Sequence, residues 1–371
     1  SSGMKTCYEF LKKTSRSFYA VIEMLNPEIK DAMCLFYLVL RALDTVEDDM
    51  TIEKSLKIKL LSQFHKFLYA ESWNFTKSCS NDRIVLENFS VISKEFRHLN
   101  KKYREIISKI CMKMGKGMIK FSNSSPQSLK ELDEYCHYVA GLVGIGCTSL
   151  FTSSGLETNN IKLTTDISNS LGLFLQKTNI IRDYLEDVNQ NRYFWPKQVW
   201  SKYVENIEYF SKPEFSREAL QCLNELITNA LAHVSDVINY LSAISDESVF
   251  RFTAIPQVMA IATLERCYNN VLLFNGVVKI RKGEAICLMN EATNITKVKL
   301  IFMRYLNKIR YRITARDPSA IQTMREVERA MQICNPNNCE RTSTSFKEIC
   351  ICCIILAISF LFVCWRCSVL I

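Results

Sequence analysis

The chain has 371 residues, 48% of them hydrophobic and 23% charged, with a net charge of +9. That is apolar material for one large body or two ordinary domains, and ten glycines and seven prolines are too few to break its long periodic stretches, so a single all-α body is expected. The modest positive charge suits anionic small molecules or a membrane surface, and no basic stripe with interleaved aromatics marks a nucleic-acid groove.

Near the start, Ser15-Arg16-Ser17-Phe18 precedes an apolar stretch. Two hydroxyls and an Arg can hold a phosphate, while a helix cap with a surface Arg is the plainer alternative. Next comes an apolar helix (Ala32, Met33, Cys34, Leu35, Phe36, Leu38, Val39, Leu40) that ends in Asp44-Thr-Val-Glu47-Asp48. On a helix wheel Tyr37, Arg41, Asp44 and Asp48 fall within roughly 60° of one another. A narrow polar stripe on an apolar helix belongs to a buried helix that lines an internal cavity.

Tyr135-Cys-His-Tyr138-Val-Ala-Gly141-Leu-Val-Gly144-Ile-Gly146 begins with a phenol and ends in spaced glycines. The glycines admit close approach of either a second helix or a long ligand, and a buried Tyr hydroxyl can act on a proton. The acidic pattern then repeats as Asp183-Tyr-Leu-Glu186-Asp187, after Leu171, Leu173, Phe174, Leu175, Ile180 and Ile181. Gln176, Asn179, Asp183 and Asp187 share an arc of roughly 80°. Buried carboxylates need cations, and an all-oxygen donor set favours Mg²⁺ with water and phosphate completing its shell. Inert salt bridges to Lys or Arg in a tail-anchored helical scaffold are the rival reading of both stripes.

Phe250-Arg-Phe252-Thr-Ala-Ile-Pro256-Gln257 sets a helix-kinking or helix-starting proline beside two aromatics that could wall an apolar pocket. Lys279-Ile-Arg281-Lys282-Gly283 could grip a phosphate or be an exposed turn. Sixteen cysteines scatter singly through apolar runs or crowd the C-terminus without zinc-ligand spacing, so a reducing compartment is expected. The four histidines are isolated and read as structural. P-loop, nucleophile-elbow and HExxH patterns are missing, and a nicotinamide cofactor would bind without a Rossmann domain.

Residues 332–348 have linker composition, and residues 349–367 read as a membrane anchor. Its apolar stretch Ile349–Trp365 spans roughly 25 Å as a helix, which suits a thin bilayer such as the endoplasmic reticulum. Upstream Lys and Arg favour a cytosolic body, residues 1–331. The sequence starts at Ser1 with no signal-peptide pattern, so an incomplete N-terminus is expected.

Six runs in order, SRSF at Ser15, YLVLRALDTVEDDM at Tyr37, YCHYVAGLVGIG at Tyr135, LFLQKTNIIRDYLED at Leu173, AIPQVMAIATL at Ala254 and VKIRKG at Val278, resemble the squalene synthase family over most of residues 4–330. The departure is at the start, where relatives carry a further segment, so a helix covering the pocket is expected to be missing. The resemblance implies an isoprenoid-synthase helical fold with a central cavity. It further implies head-to-head condensation of two farnesyl diphosphates and NADPH-dependent reduction to squalene, by a monomer. Metal ligands would be Asp44, Glu47, Asp48, Asp183 and Asp187, with Tyr135 handling protons, and Leu173, Phe174 and Phe252 walling the cation. Substrate would meet Ser15, Ser17, Phe18, Tyr37, Arg41 and Gln176. Cofactor-binding groups would be Arg16, Arg41, Asn179, Arg182, Lys279 and Arg281. The nearest rival, a phytoene- or dehydrosqualene-type synthase, omits the reduction.

Overall fold

The computed structural model describes residues 1–122, 124–158 and 164–335, which form eighteen α-helices and no strand. The expected all-helical body is what the chain builds.

The first acidic helix, Pro27–Asp48, starts as its sequence dictates. Asn26 caps it by accepting from the Glu28 amide at 3.0 Å, and Pro27 needs no partner for a missing N–H. Thirteen of its residues are buried around almost the whole circumference, from Ile29 to Val46. Along its second half Tyr37, Arg41, Asp44 and Glu47 stay half-buried, and Asp48 is exposed at the C-terminal end. Past the end, Asp49 is locked by Ser78 (2.6 Å), Thr51 (2.6 Å) and the Cys79 amide (2.9 Å), which fixes where the acidic motif stops.

Helix Thr165–Arg182, the second acidic helix by virtue of the motif that follows it at Asp183 and in the short helix Tyr184–Asn189, is the hub, packed by helices Leu142–Ser154, Ser216–Leu231, Val234–Leu241 and Glu247–Cys267. The glycine-rich run crosses it by backbone contact. A Cβ on Gly172 would lie 2.2 Å from the Ala140 carbonyl oxygen, and one on Gly144 2.3 Å from that of Ser168. Tight packing thus explains the small residues, although Gly144 also reaches the cavity described below. Between the tyrosine-bearing helix Leu129–Cys136 and Leu142–Ser154 the chain makes a π-helical turn, His137–Gly141. Helix Glu247–Cys267 continues through Pro256 instead of starting there.

Cys7, Cys34, Cys111, Cys136, Cys222, Cys267 and Cys334 are buried as free thiols, as their apolar contexts predict. The last helix among the described residues, Ala320–Cys334, runs past the linker boundary expected at 332, with Cys334 buried in its final turn. Among the described residues no helix is long and apolar enough to cross a membrane; the anchor expected at 349–367 lies outside them.

Candidate active site

A cavity with two lobes runs between the two acidic helices and helix Glu247–Cys267. The first lobe, about 240 Å³, is walled by Phe36, Leu40, Met114, Phe151, Leu171 and Phe252, with Tyr37, Arg41, Asp44, Gln176 and Asn179 along one side. The second, about 410 Å³, is walled by Val21, Ile255, Met259 and Met289, with Ser17, Arg182 and Lys279 on its rim. Phe18, Leu175, Asn179 and Pro256 belong to both.

The two acidic motifs meet through a residue that the sequence did not single out. Arg192 donates from one terminal nitrogen to Asp48 Oδ1 at 2.6 Å and from the other to Asp187 Oδ1 at 2.8 Å. One guanidinium therefore spans carboxylates from separate helices. Arg192 follows Asp187 by five residues, outside any helix, and its only sequence signal was a cation just past an acidic motif. Asp183 turns elsewhere. The helix ends at Arg182, Asp183 takes φ −93° and ψ 14°, and its carboxylate pairs bidentately with Arg182 at 2.7 and 2.5 Å. It lines a separate recess with Glu186, Asn189 and Lys279. The expected continuous stripe is thus broken one residue past the helix end.

Burial pushes the Asp44 carboxyl up to about 7, with Arg41 opposing and Asp48 and Asp82 adding. Burial likewise raises Asp187 to about 7 against Arg192, and lifts Glu47 well above the carboxylate range. Burial thus disfavours the ionised form of each carboxyl, and the nearby guanidiniums only partly restore it. Such a set suits a hard cation. Among the described residues no three His, Cys, Asp or Glu groups enclose a metal site unaided. Mg²⁺ asks for only one or two carboxylates when water and phosphate complete its octahedron, so the donors fit.

Tyr135 is buried, stacked on Phe194 (5.1 Å, 21°) and edge-on to Phe121 (5.4 Å, 72°). Burial, then the charges of Glu47 and Asp48, hold its phenol well above the usual value, so it keeps its proton. Arg41 donates to the Tyr37 hydroxyl at 3.1 and 3.0 Å and lies 3.7 Å from Asp82. Phe252 stands edge-on to Phe151 in the first lobe.

Several expectations are corrected. Leu173 and Phe174 face away from the cavity: Leu173 abuts Gly141 and Phe174 packs toward Phe302. Leu171 and Leu175, which share a helix face with Gln176 and Asn179, wall the cavity instead. Ser15 caps helix Arg16–Glu23 by accepting from the Phe18 amide at 3.2 Å, and Arg16 is exposed and lines neither lobe. Arg281 is exposed before helix Lys282–Glu291 and also lines neither.

Two facing acidic helices over an apolar cavity define an all-helical prenyl-synthase type of site, and the comparisons agree. The squalene/phytoene synthase family model matches residues 11–284. The chain is 54% identical over 345 residues to squalene synthase of Homo sapiens, covering 93% of this chain and 82% of the relative. It is 46% identical over 332 residues to squalene synthase 2 of Panax ginseng, covering 88% and 79%. The structure of TcSQS with the ligand E5700 aligns with a TM-score of 0.87 at 39% identity, over 90% of this chain and 98% of that one. A dehydrosqualene synthase in complex with ligand, at 19% identity and a TM-score of 0.58 over 78% and 95%, shares the fold. The chain belongs to the squalene/phytoene synthase family. It is an enzyme of the squalene synthase kind.

Proposed function

We propose that this enzyme joins two farnesyl diphosphates head to head into presqualene diphosphate and then reduces that product to squalene with NADPH. What supports the reading is the single guanidinium of Arg192 between Asp48 and Asp187, one carboxylate from each acidic motif, with Asp44 of the first motif lining the apolar cavity.

Asp44, Glu47, Asp48 and Asp187 are the groups that would hold Mg²⁺, and Asp183, paired with Arg182 over a separate recess, would join them only on leaving that guanidinium. When bound it supplies positive charge that stabilises a departing diphosphate. The chain's own cations, Arg41 and Arg192, bind the same anion. Phe36, Phe151, Leu171 and Phe252 give the first lobe dry walls that keep water from an allylic cation. Tyr135, protonated and beside Glu47 and Asp48, holds a proton at its Oη for the departing oxygen.

NADPH supplies a hydride when bound. Asn179, Arg182 and Lys279 rim the second lobe, and Arg182 and Lys279 also line the adjoining recess. That arrangement gives a phosphate-bearing cofactor two cations at the edge of an apolar chamber. The cavity and both acidic motifs come from one chain, so a monomer suffices. With residues 349–367 as its anchor, the body of residues 1–331 would sit on the cytosolic face of the endoplasmic reticulum, where a lipid product can leave.

The test is incubation with farnesyl diphosphate and Mg²⁺, with and without NADPH. The expected outcome is presqualene diphosphate without NADPH and squalene with it. A C30 hydrocarbon formed equally well without NADPH would overturn the reductive reading in favour of a dehydrosqualene-type synthase.

A further inference from the structure

A second set of titratable groups lies outside the cavity, gathered around a buried ammonium. Lys177 is on the second acidic helix within an apolar run, and its side chain is only 3% exposed. Its ammonium lies 2.6 Å from Asp133 Oδ1, 2.7 Å from Asn229 Oδ1 and 2.9 Å from His233 Nε2. Beyond that, His233 Nδ1 lies 2.7 Å from Ser170 Oγ, which donates to Asp236 Oδ2 at 2.6 Å.

The proton inventory gives this chain one direction. An ammonium has only donors, so His233 Nε2 must accept from it. Nδ1 then carries the imidazole proton and donates to Ser170, whose own proton goes to Asp236. Burial, and then Lys177, hold His233 down to about 3, so the ring stays neutral and the relay keeps its sense. A buried ammonium without such partners would be costly.

We propose that Lys177 is a positioning residue: by clamping Asp133 it fixes the rotation of helix Leu129–Cys136 and so aims Tyr135 at the acidic motifs. Asp133 and Tyr135 are two residues apart, about 200° around a helix. An ion pair on one face therefore sets where the phenol points on the other. A second link acts in the same sense, since His137 Nδ1 lies 2.7 Å from Asn169 Oδ1 on the same hub helix. Asn169 and Lys177 are eight residues apart and their partners four, so two struts join an antiparallel pair and resist both sliding and rolling.

This inference rests on the reading of Tyr135 given above, and the experiment separates the two. Asp133→Asn, Lys177→Met, the double variant and Tyr135→Phe are assayed for squalene formation, each with a thermal melt. Misaiming a reacting group costs about 10- to 100-fold in turnover, so kcat should fall by that order in Asp133→Asn and in Lys177→Met, with KM for farnesyl diphosphate within about twofold of the parent. The double variant should be no slower than Lys177→Met, because both act through one contact. If Lys177→Met does not fold, Asp133→Asn decides alone, since its carboxylate is 45% exposed and its removal leaves the ammonium two other partners. Folded variants that keep the parent kcat, losses that multiply in the double variant, or a rise in KM alone would overturn the positioning role. A Tyr135→Phe enzyme as fast as the parent sinks the tyrosine reading and the proposal with it; a slow Tyr135→Phe beside fast network variants sinks the proposal only.

Discussion

Arg192→Gln isolates the junction between the acidic motifs. In the metal-free protein the guanidinium neutralises Asp187, whose side chain is 11% exposed, and Asp48, which is 56% exposed, and its face lies 5.7 Å from the Phe194 ring centroid. The exposed pair is worth at most about 1 kcal/mol. Leaving the largely buried Asp187 without its partner costs about 2–3 kcal/mol, and the cation–π contact adds about 0.5. A loss of about 3–4 kcal/mol lowers the melting temperature of a chain this long by about 5 °C. The assay is a thermal melt with and without Mg²⁺, and no diphosphate. Because Arg192 competes with the metal for the same oxygens, Mg²⁺ alone should raise Tm more in the variant than in the parent. Turnover should nevertheless fall, since the guanidinium no longer meets the anion. An equal Mg²⁺ shift in both proteins would refute the shared site.

The Asp44 carboxyl has a folded value of about 7 against an ordinary 3.8, so its contribution to stability is full below about 4 and is lost as pH rises through 7. Asp44→Asn should therefore raise the metal-free Tm above the parent's at pH 8, raise it by less at pH 5, and match it only below about pH 4; the same gain at all three values would contradict the burial. Gly172→Ala puts a methyl 2.2 Å from the Ala140 carbonyl oxygen and 2.7 Å from Gly141 Cα, backbone that cannot step aside. It should cost about 2–3 kcal/mol in a denaturant titration, and an unchanged midpoint would show that the crossing is looser. Lys279→Ala should leave condensation intact and raise KM for NADPH, so that presqualene diphosphate builds up at limiting cofactor. Parent-like squalene output there would free the second rim from its cofactor role.

Much of this was legible because helix periodicity turns sequence spacing into a face. Tyr37, Arg41 and Asp44 line one wall, as their spacing required, and the surrounding apolar residues are buried. The second motif was less readable. Asp183 lies just past the helix end, and its neighbour Arg182 claims its carboxylate, an outcome the wheel cannot encode. Leu173 and Phe174 are as apolar as Leu171 and Leu175; only the packing of helix Ile295–Tyr311 and of the π turn decides which pair meets the cavity. Arg192 comes from a loop, where no periodicity applies, and Lys177 looks like an ordinary helix lysine until Asp133 and His233 converge on it from elsewhere in the chain.

Four residues, Phe18, Leu175, Asn179 and Pro256, drawn from three helices, border both lobes. A chamber divided this way measures a guest at its waist and not at its ends. Trimming Phe18 or Leu175 would merge the compartments without touching a charged group, so tolerance for longer hydrocarbon tails can drift while the chemistry at the acidic end stays as it is.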